Sequence, residues 1–215
     1  MNEKLVTFVK NYWSYYLRLE SKFLETLNYV EFDKDNFSTF SFEYLNLLLS
    51  VCSEIDVVGK VIAYEKNPSL KEKPNIYEWW DVIKDEFVSD GTNITEKEVL
   101  FFRKQNLTPW KGFYPDKSSK EETPFWWKAY NDVKHNRSKK LDKTDLTNYK
   151  AANLENVANA FAGLYILEHS FIKSITDVKD LELIHRSKLF EIEKKSLKHV
   201  NEDEERVIFE DKEMI

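Results

Sequence analysis

Apolar residues return every three or four positions through the first thirty residues: Leu5, Phe8, Val9, Tyr12, Tyr16, Leu19, Phe23, Leu27 and Val30. That rhythm marks one face of an α-helix over residues 2–30, with Trp13 and Tyr15 widening the stripe. Residues 31–40 are polar and turn-like. Ser41 is placed to cap a second long helix that runs to Glu65, with Leu45, Leu48, Cys52, Ile55, Gly59 and Ile62 as its core stripe. A glycine within such a stripe predicts close approach of another backbone at Gly59.

Asn67-Pro68 and Lys73-Pro74 bracket a linker. A shorter third helix is expected over residues 75–87, through Ile76, Trp79, Trp80, Ile83 and Phe87. Residues 89–93 are a turn cluster. Thr95 to Arg103 reads either as a short strand or as a helix end. Residues 104–122 form a long loop, and its aromatics Trp110 and Phe113 are expected to pack over Trp126 and Trp127, as a strap or as a lid.

The densest stretch is Thr123 to Ser138, TPFWWKAYNDVKHNRS. Thr123 is placed to cap it and Pro124 to start it. At 3.6 residues per turn, Trp127, Asn131, Lys134 and Ser138 share a stripe, with His135 beside it. Trp126, Tyr130, Val133 and Arg137 form the neighbouring stripe. One side can therefore bury, while its border carries an amide, an imidazole, an ammonium and a guanidinium. Such groups bind phosphate and move protons near neutral pH. They serve equally well as hydrogen-bonding residues that pin a helix crossing.

Residues 149–173 predict a fourth long helix, slim enough through its alanines and Gly163 for tight packing. His169 near its end reads as a favourable C-terminal cation. From residue 174 the pattern changes: Phe190 and Ile192 alternate with glutamates, as do Val207 and Phe209 with their neighbours. A β-hairpin and a tail that orders on a partner both fit. The expected organisation is a helical bundle over 1–173 with a small C-terminal appendage over 174–215. The fold class is all-α, with mostly antiparallel helices and a long aromatic loop.

Composition sharpens this picture at a few points. Four glycines and five prolines in 215 residues favour long helices. The single cysteine, Cys52, excludes an intrachain disulfide and a cysteine-based zinc site, and suits a reducing cytoplasm. No apolar run is long enough to span a bilayer, and the N-terminus lacks a signal-peptide layout. The net charge is −6, unevenly spread. Residues 201–213 carry seven acidic and two basic side chains, whereas residues 103–150 carry twelve basic and six acidic ones. A local cationic face within an acidic chain fits a phosphate or RNA partner, although charges at a helix end are also simply solvated.

No glycine-rich phosphate loop, G-x-S-x-G elbow or histidine pair at metal-ligand spacing occurs. No cofactor or metal is implied. Glu54 and Asp56 place two carboxylates in a mostly buried helix. Either can receive Lys134, His135 or Arg137, as an ion pair or as the group that orients a histidine.

The order of two long helices, then Pro124, Trp126, Trp127, Tyr130, Asn131, Val133, Lys134, His135 and Arg137, then an alanine-rich helix resembles a set of bacterial and phage proteins associated with the HEPN-like helical superfamily. Ser53-Glu54-Ile55-Asp56 and Pro109-Trp110 share in the likeness, which covers residues 38–172. Many HEPN proteins are metal-independent ribonucleases of toxin or phage-defence systems, with an arginine followed four to six residues later by histidine at a dimer interface. Others are binding and dimerisation modules. In this chain no arginine is followed by a histidine at that distance; His135-Asn136-Arg137 brings the two types together in reversed order and closer.

The resemblance implies a homodimer with RNA or a nucleotide as partner and no membrane. In a ribonuclease, His135 would move a proton, Lys134 and Arg137 would hold phosphate, and Asn131 would orient. Trp127, Tyr130, Glu54, Asp56 and Trp110 would shape the binding site. The alternative is a non-enzymatic helical interaction module in which the same polar residues lock the core. Exposure separates the two: cations free of carboxylates favour the first, and cations neutralised by Glu54 or Asp56 inside the bundle favour the second.

Overall fold

The computed structural model describes residues 2–85, 93–102, 105–114, 123–140 and 147–191. It is mostly helical, and the first helix has an internal irregularity. Helix α1 (Glu3–Phe8) passes through a π-helical turn (Val9–Trp13) into α2 (Ser14–Thr26). The wide turn converts the step from Phe8 into five residues, so Trp13 enters the core while Tyr12 is only half-buried. Helix α3 (Phe42–Lys66) starts where expected, with the Ser41 side chain accepting from the backbone N–H of Tyr44. Helix α4 (Ile76–Ile83) opens on a reciprocal capping box between Asn75 and Glu78.

The all-helical expectation needs a correction. Val99–Phe101 (β1), Gln105–Leu107 (β2) and Phe190–Glu191 (β3) form a small antiparallel sheet in the order β2-β1-β3. Leu100 stands opposite Glu191 and Phe101 opposite Phe190. The EVLFF segment is therefore a strand. The alternating Phe190 segment is also one, but it pairs with β1. Its expected hairpin partner around Val207 lies outside the described residues.

Helix α5 (Phe125–Asn136) is the tryptophan-rich stretch. Its N-cap is Pro124, with no side-chain cap, so Thr123 does not play the capping part expected of it. A 3-10 turn (Asn148–Ala151) precedes α6 (Leu154–Ser174), and α7 (Val178–Leu181) follows. Helix α6 is the axis of the molecule. Every residue from Asn156 to Glu168 is buried, as expected for a helix packed on all sides. It lies against α3, α5 and α2. A methyl group at Gly163 would meet the Trp126 ring at 3.2 Å. At Gly59 the approaching group is the Trp79 side chain rather than a backbone, and a methyl there would sit 2.7 Å from its ring carbons.

The chain after α7 is fastened to α2. Trp13 Nε1 donates to the carbonyl of His185 at 2.8 Å. Glu20, only 2% exposed, accepts from Tyr16 Oη at 2.8 Å, from Ser187 Oγ, and from the N–H of Lys188 at 2.9 Å. A buried carboxylate with this many donors is satisfied, and it holds Leu189 and Phe190 in the core.

Candidate nucleic-acid interface

Helix α5 divides along its length as well as around its circumference. Trp126, Trp127, Ala129, Tyr130 and Val133 are buried, Asn131 and Asp132 are half-buried, and Lys134, His135, Asn136 and Arg137 are exposed. Residues 126–133 thus serve as an anchor, and the last turn projects its charges into solvent. Positive side chains at a helix C-terminus sit where the backbone carbonyls favour them.

The strap before α5 is held by indole donors. Trp126 Nε1 donates to Pro109 O at 2.9 Å, Trp110 Nε1 to Gly163 O at 3.1 Å, and Trp80 Nε1 to Phe113 O at 3.0 Å. Trp110 meets Trp126 edge-on at 5.0 Å, the contact expected from the sequence. Trp110 is fully buried and Trp127 and Tyr130 are nearly so, which makes all three supports of the site rather than exposed contacts for a ligand.

Glu54 and Asp56 do not reach the cationic end. Asp56 pairs with Lys60 and accepts from Trp79 Nε1 at 3.1 Å. Glu54 is half-buried beside Glu168 of α6, and burial raises its carboxyl above the ordinary range. Lys134 Nζ donates to Tyr130 Oη at 3.1 Å and lies 5.1 Å over the same ring. Among the described residues no ion pair joins Lys134, His135 or Arg137 to a carboxylate. Likewise, none hydrogen-bonds to the His135 imidazole, so no orienting carboxylate of the acid–base kind is in place.

A buried amide builds the turn that follows. Asn148 is 4% exposed, and its Nδ2 donates to Asn136 O at 3.0 Å and to Asp132 O at 3.4 Å, closing the last carbonyls of α5. The N–H of Asn148 donates to Lys139 O and that of Tyr149 to Arg137 O, both at 3.0 Å. These bonds set Arg137, Lys139 and Lys140 against the 3-10 turn that carries Tyr149 and Lys150. Asn148→Ala is expected to lower stability by about 1–3 kcal/mol, because two carbonyls at the end of α5 lose the donor that the buried amide supplies. Chemical unfolding would measure the loss.

Sequence reasoning passed over the aromatics beside this turn. Phe40, Phe42 and Tyr149 cluster, with Tyr149 5.5 Å from Phe40 and 5.2 Å from Phe42, and with Lys150 Nζ 5.2 Å over the Phe40 ring. Phe42 is 74% exposed. One signal was available: Phe42 opens α3 but lies off its apolar stripe, so a core role had no support there.

A cleft of about 940 Å³ lies at the opposite end of α5, between β2, the strap and the first turn, lined by Leu107, Lys111, Phe125, Lys128, Glu155 and Asn159 among others. It is roughly 15 Å along the helix axis from His135 and includes none of the cations of the last turn. No group of three or more potential metal ligands occurs among the described residues. Among them also, no helix is long and apolar enough to cross a membrane. Comparison with known proteins gives no match to a family model, to a curated protein or to a solved structure.

Proposed function

We propose that this chain is an RNA-binding protein of the HEPN-like helical kind that engages phosphates through the last turn of α5 and the turn after it. One observation carries the reading: Lys134, His135 and Arg137 face solvent together, and no described carboxylate neutralises them. Lys139 and Lys150 extend the positive surface. Such an arrangement attracts a polyanion by counterion release and depends steeply on salt.

Binding is better supported than cleavage. A general base needs a held orientation, and His135 has no hydrogen-bonding partner among the described residues. A ribonuclease at a dimer interface would draw that partner from a second copy. The alternative of a non-enzymatic module rests on Lys134, whose packing over Tyr130 is the kind of contact that locks a helix.

Titration of purified protein with labelled RNA at several salt concentrations tests the proposal. Affinity should fall linearly on a log–log plot, by roughly 0.7 per single-strand phosphate contact. Arg137→Ala and Lys139→Ala should each flatten the slope by about that amount. Salt-independent affinity, or none at low salt, would exclude the reading. Incubation of the same RNA with wild type and His135→Ala, with and without chelator, decides the enzymatic version, which requires cleavage by wild type alone and in both conditions.

A further inference from the structure

We infer that Phe40, Phe42 and Tyr149 form a stacking platform that gives the cationic surface a preference for single-stranded over duplex RNA. The inference rests on the RNA-binding reading and adds the kind of strand. Phosphate contacts alone do not distinguish a strand from a helix of base pairs, because both present a charged backbone. Exposed aromatic rings do, since only an unpaired base can leave its neighbours and stack on a side chain.

The geometry fits that use. Phe42 offers an open ring at the start of α3, with 74% of its surface in solvent. Its position is fixed from below by the half-buried Tyr149 ring at 5.2 Å. Phe40 stands on the other side of Tyr149, steadied by an antiparallel bridge to Asn153 and covered by the Lys150 ammonium. The N–H of Tyr149 bonds the carbonyl of Arg137, which ties the ring beneath Phe42 to the cationic end of α5. Glu43 is the exposed acid next to Phe42, and Asp132 is half-buried on α5. Against them, among the described residues, stand Arg137, Lys139 and Lys150, so the patch complements a negative partner. An apolar protein partner would gain nothing from that charge.

Fluorescence anisotropy with an unstructured RNA oligonucleotide, and with the duplex of the same sequence, tests the platform at one fixed salt concentration. Wild type should favour the single strand. Phe42→Ala should weaken strand binding roughly tenfold and leave duplex binding unchanged, while Phe42→Trp should retain the preference. The exposure of Phe42 means that its removal should leave the melting temperature nearly unchanged, so a loss of binding cannot be ascribed to unfolding. Equal affinity for strand and duplex, or a Phe42→Ala loss shared by both, would overturn the platform while leaving the RNA-binding reading intact. Absence of binding to either RNA would remove that reading itself. If, instead, Phe42→Ala abolished self-association in sedimentation and no RNA bound, the patch would be a contact between copies, and the inference would be overturned.

Discussion

Replacing Trp126 with alanine is expected to cost about 3–5 kcal/mol of folding stability, the range for deleting a large buried aromatic. Three losses coincide at this position. The ring is fully buried and packs over Gly163, where no side chain can fill the gap it leaves. Its edge-on contact with Trp110 disappears. The carbonyl of Pro109 loses its indole donor, and with it the strap loses one of its ties to the body. Trp126→Phe should recover most of the packing but not the donor, and so fall between wild type and alanine. Urea unfolding monitored by circular dichroism would measure both. The cations lie more than two turns away along α5, so the exposure of Lys134, His135 and Arg137 should be unchanged under conditions where the alanine variant stays folded. A loss below about 1 kcal/mol would mean that the aromatic chain from Trp80 through Trp110 to Trp126 does not act as the central fastening of the fold.

This part of the molecule could be read from the residues alone. Paired tryptophans about two turns before a cationic end, a serine ahead of an apolar run and a slim alanine-rich helix are each local in the chain. The sheet was harder, because β1 and β3 are two or three residues long and stand ninety residues apart. Nothing within either segment names its partner. The π-helical turn was hidden for a related reason: Tyr12 and Trp13 are both apolar, and only the packing of α2 against α6 decides which one enters the core. The cationic group on α5 was visible as a cluster, but its surroundings were not. Glu54 and Asp56 had the right charge to receive it, yet Asp56 is taken by Lys60 and Trp79, and Glu54 turns toward Glu168.

His169 shows how burial can reverse a reading. Placed at a helix C-terminus, it was expected to be a cation. Its ring instead stacks on Tyr165 at 5.2 Å, and its Nδ1 is buried with no hydrogen-bonding partner among the described residues. Burial, with the nearby charges of Lys173 and Lys97, lowers its pKa to about 3. It is neutral in the folded protein at any pH where the protein would be handled.

Glu168 makes the opposite contribution, and together the two residues set how stability should vary with pH. The Glu168 carboxyl of α6 is completely buried, and neither oxygen has a hydrogen-bonding partner among the described residues. Burial, followed by the adjacent Glu54 carboxylate, raises its pKa well above 4.5, so the group stays protonated in the fold after the unfolded chain has ionised. The native state then holds the extra proton, and stability must fall as pH rises from 4.5 toward the folded pKa, by about 1.4 kcal/mol per unit at full slope. Glu54, raised in the same direction, adds to the fall. For His169 the unfolded chain holds the extra proton between about 3 and 6.5, so stability rises with pH across that window. The two slopes oppose each other above 4.5 while both groups titrate; below 4.5 the histidine governs, and above 6.5 its contribution has ended. Cys52, whose buried thiol is shifted up from 9.0, adds a further loss only at higher pH. Urea midpoints should therefore decline for wild type as pH rises from the end of the His169 titration toward the folded pKa of Glu168. Glu168→Leu should raise stability by about 1–3 kcal/mol at pH 7 by removing an unsatisfied buried polar group, and should remove most of the decline. A flat wild-type profile over that range, or a less stable leucine variant, would mean that the carboxyl is satisfied in solution and that α6 depends on it.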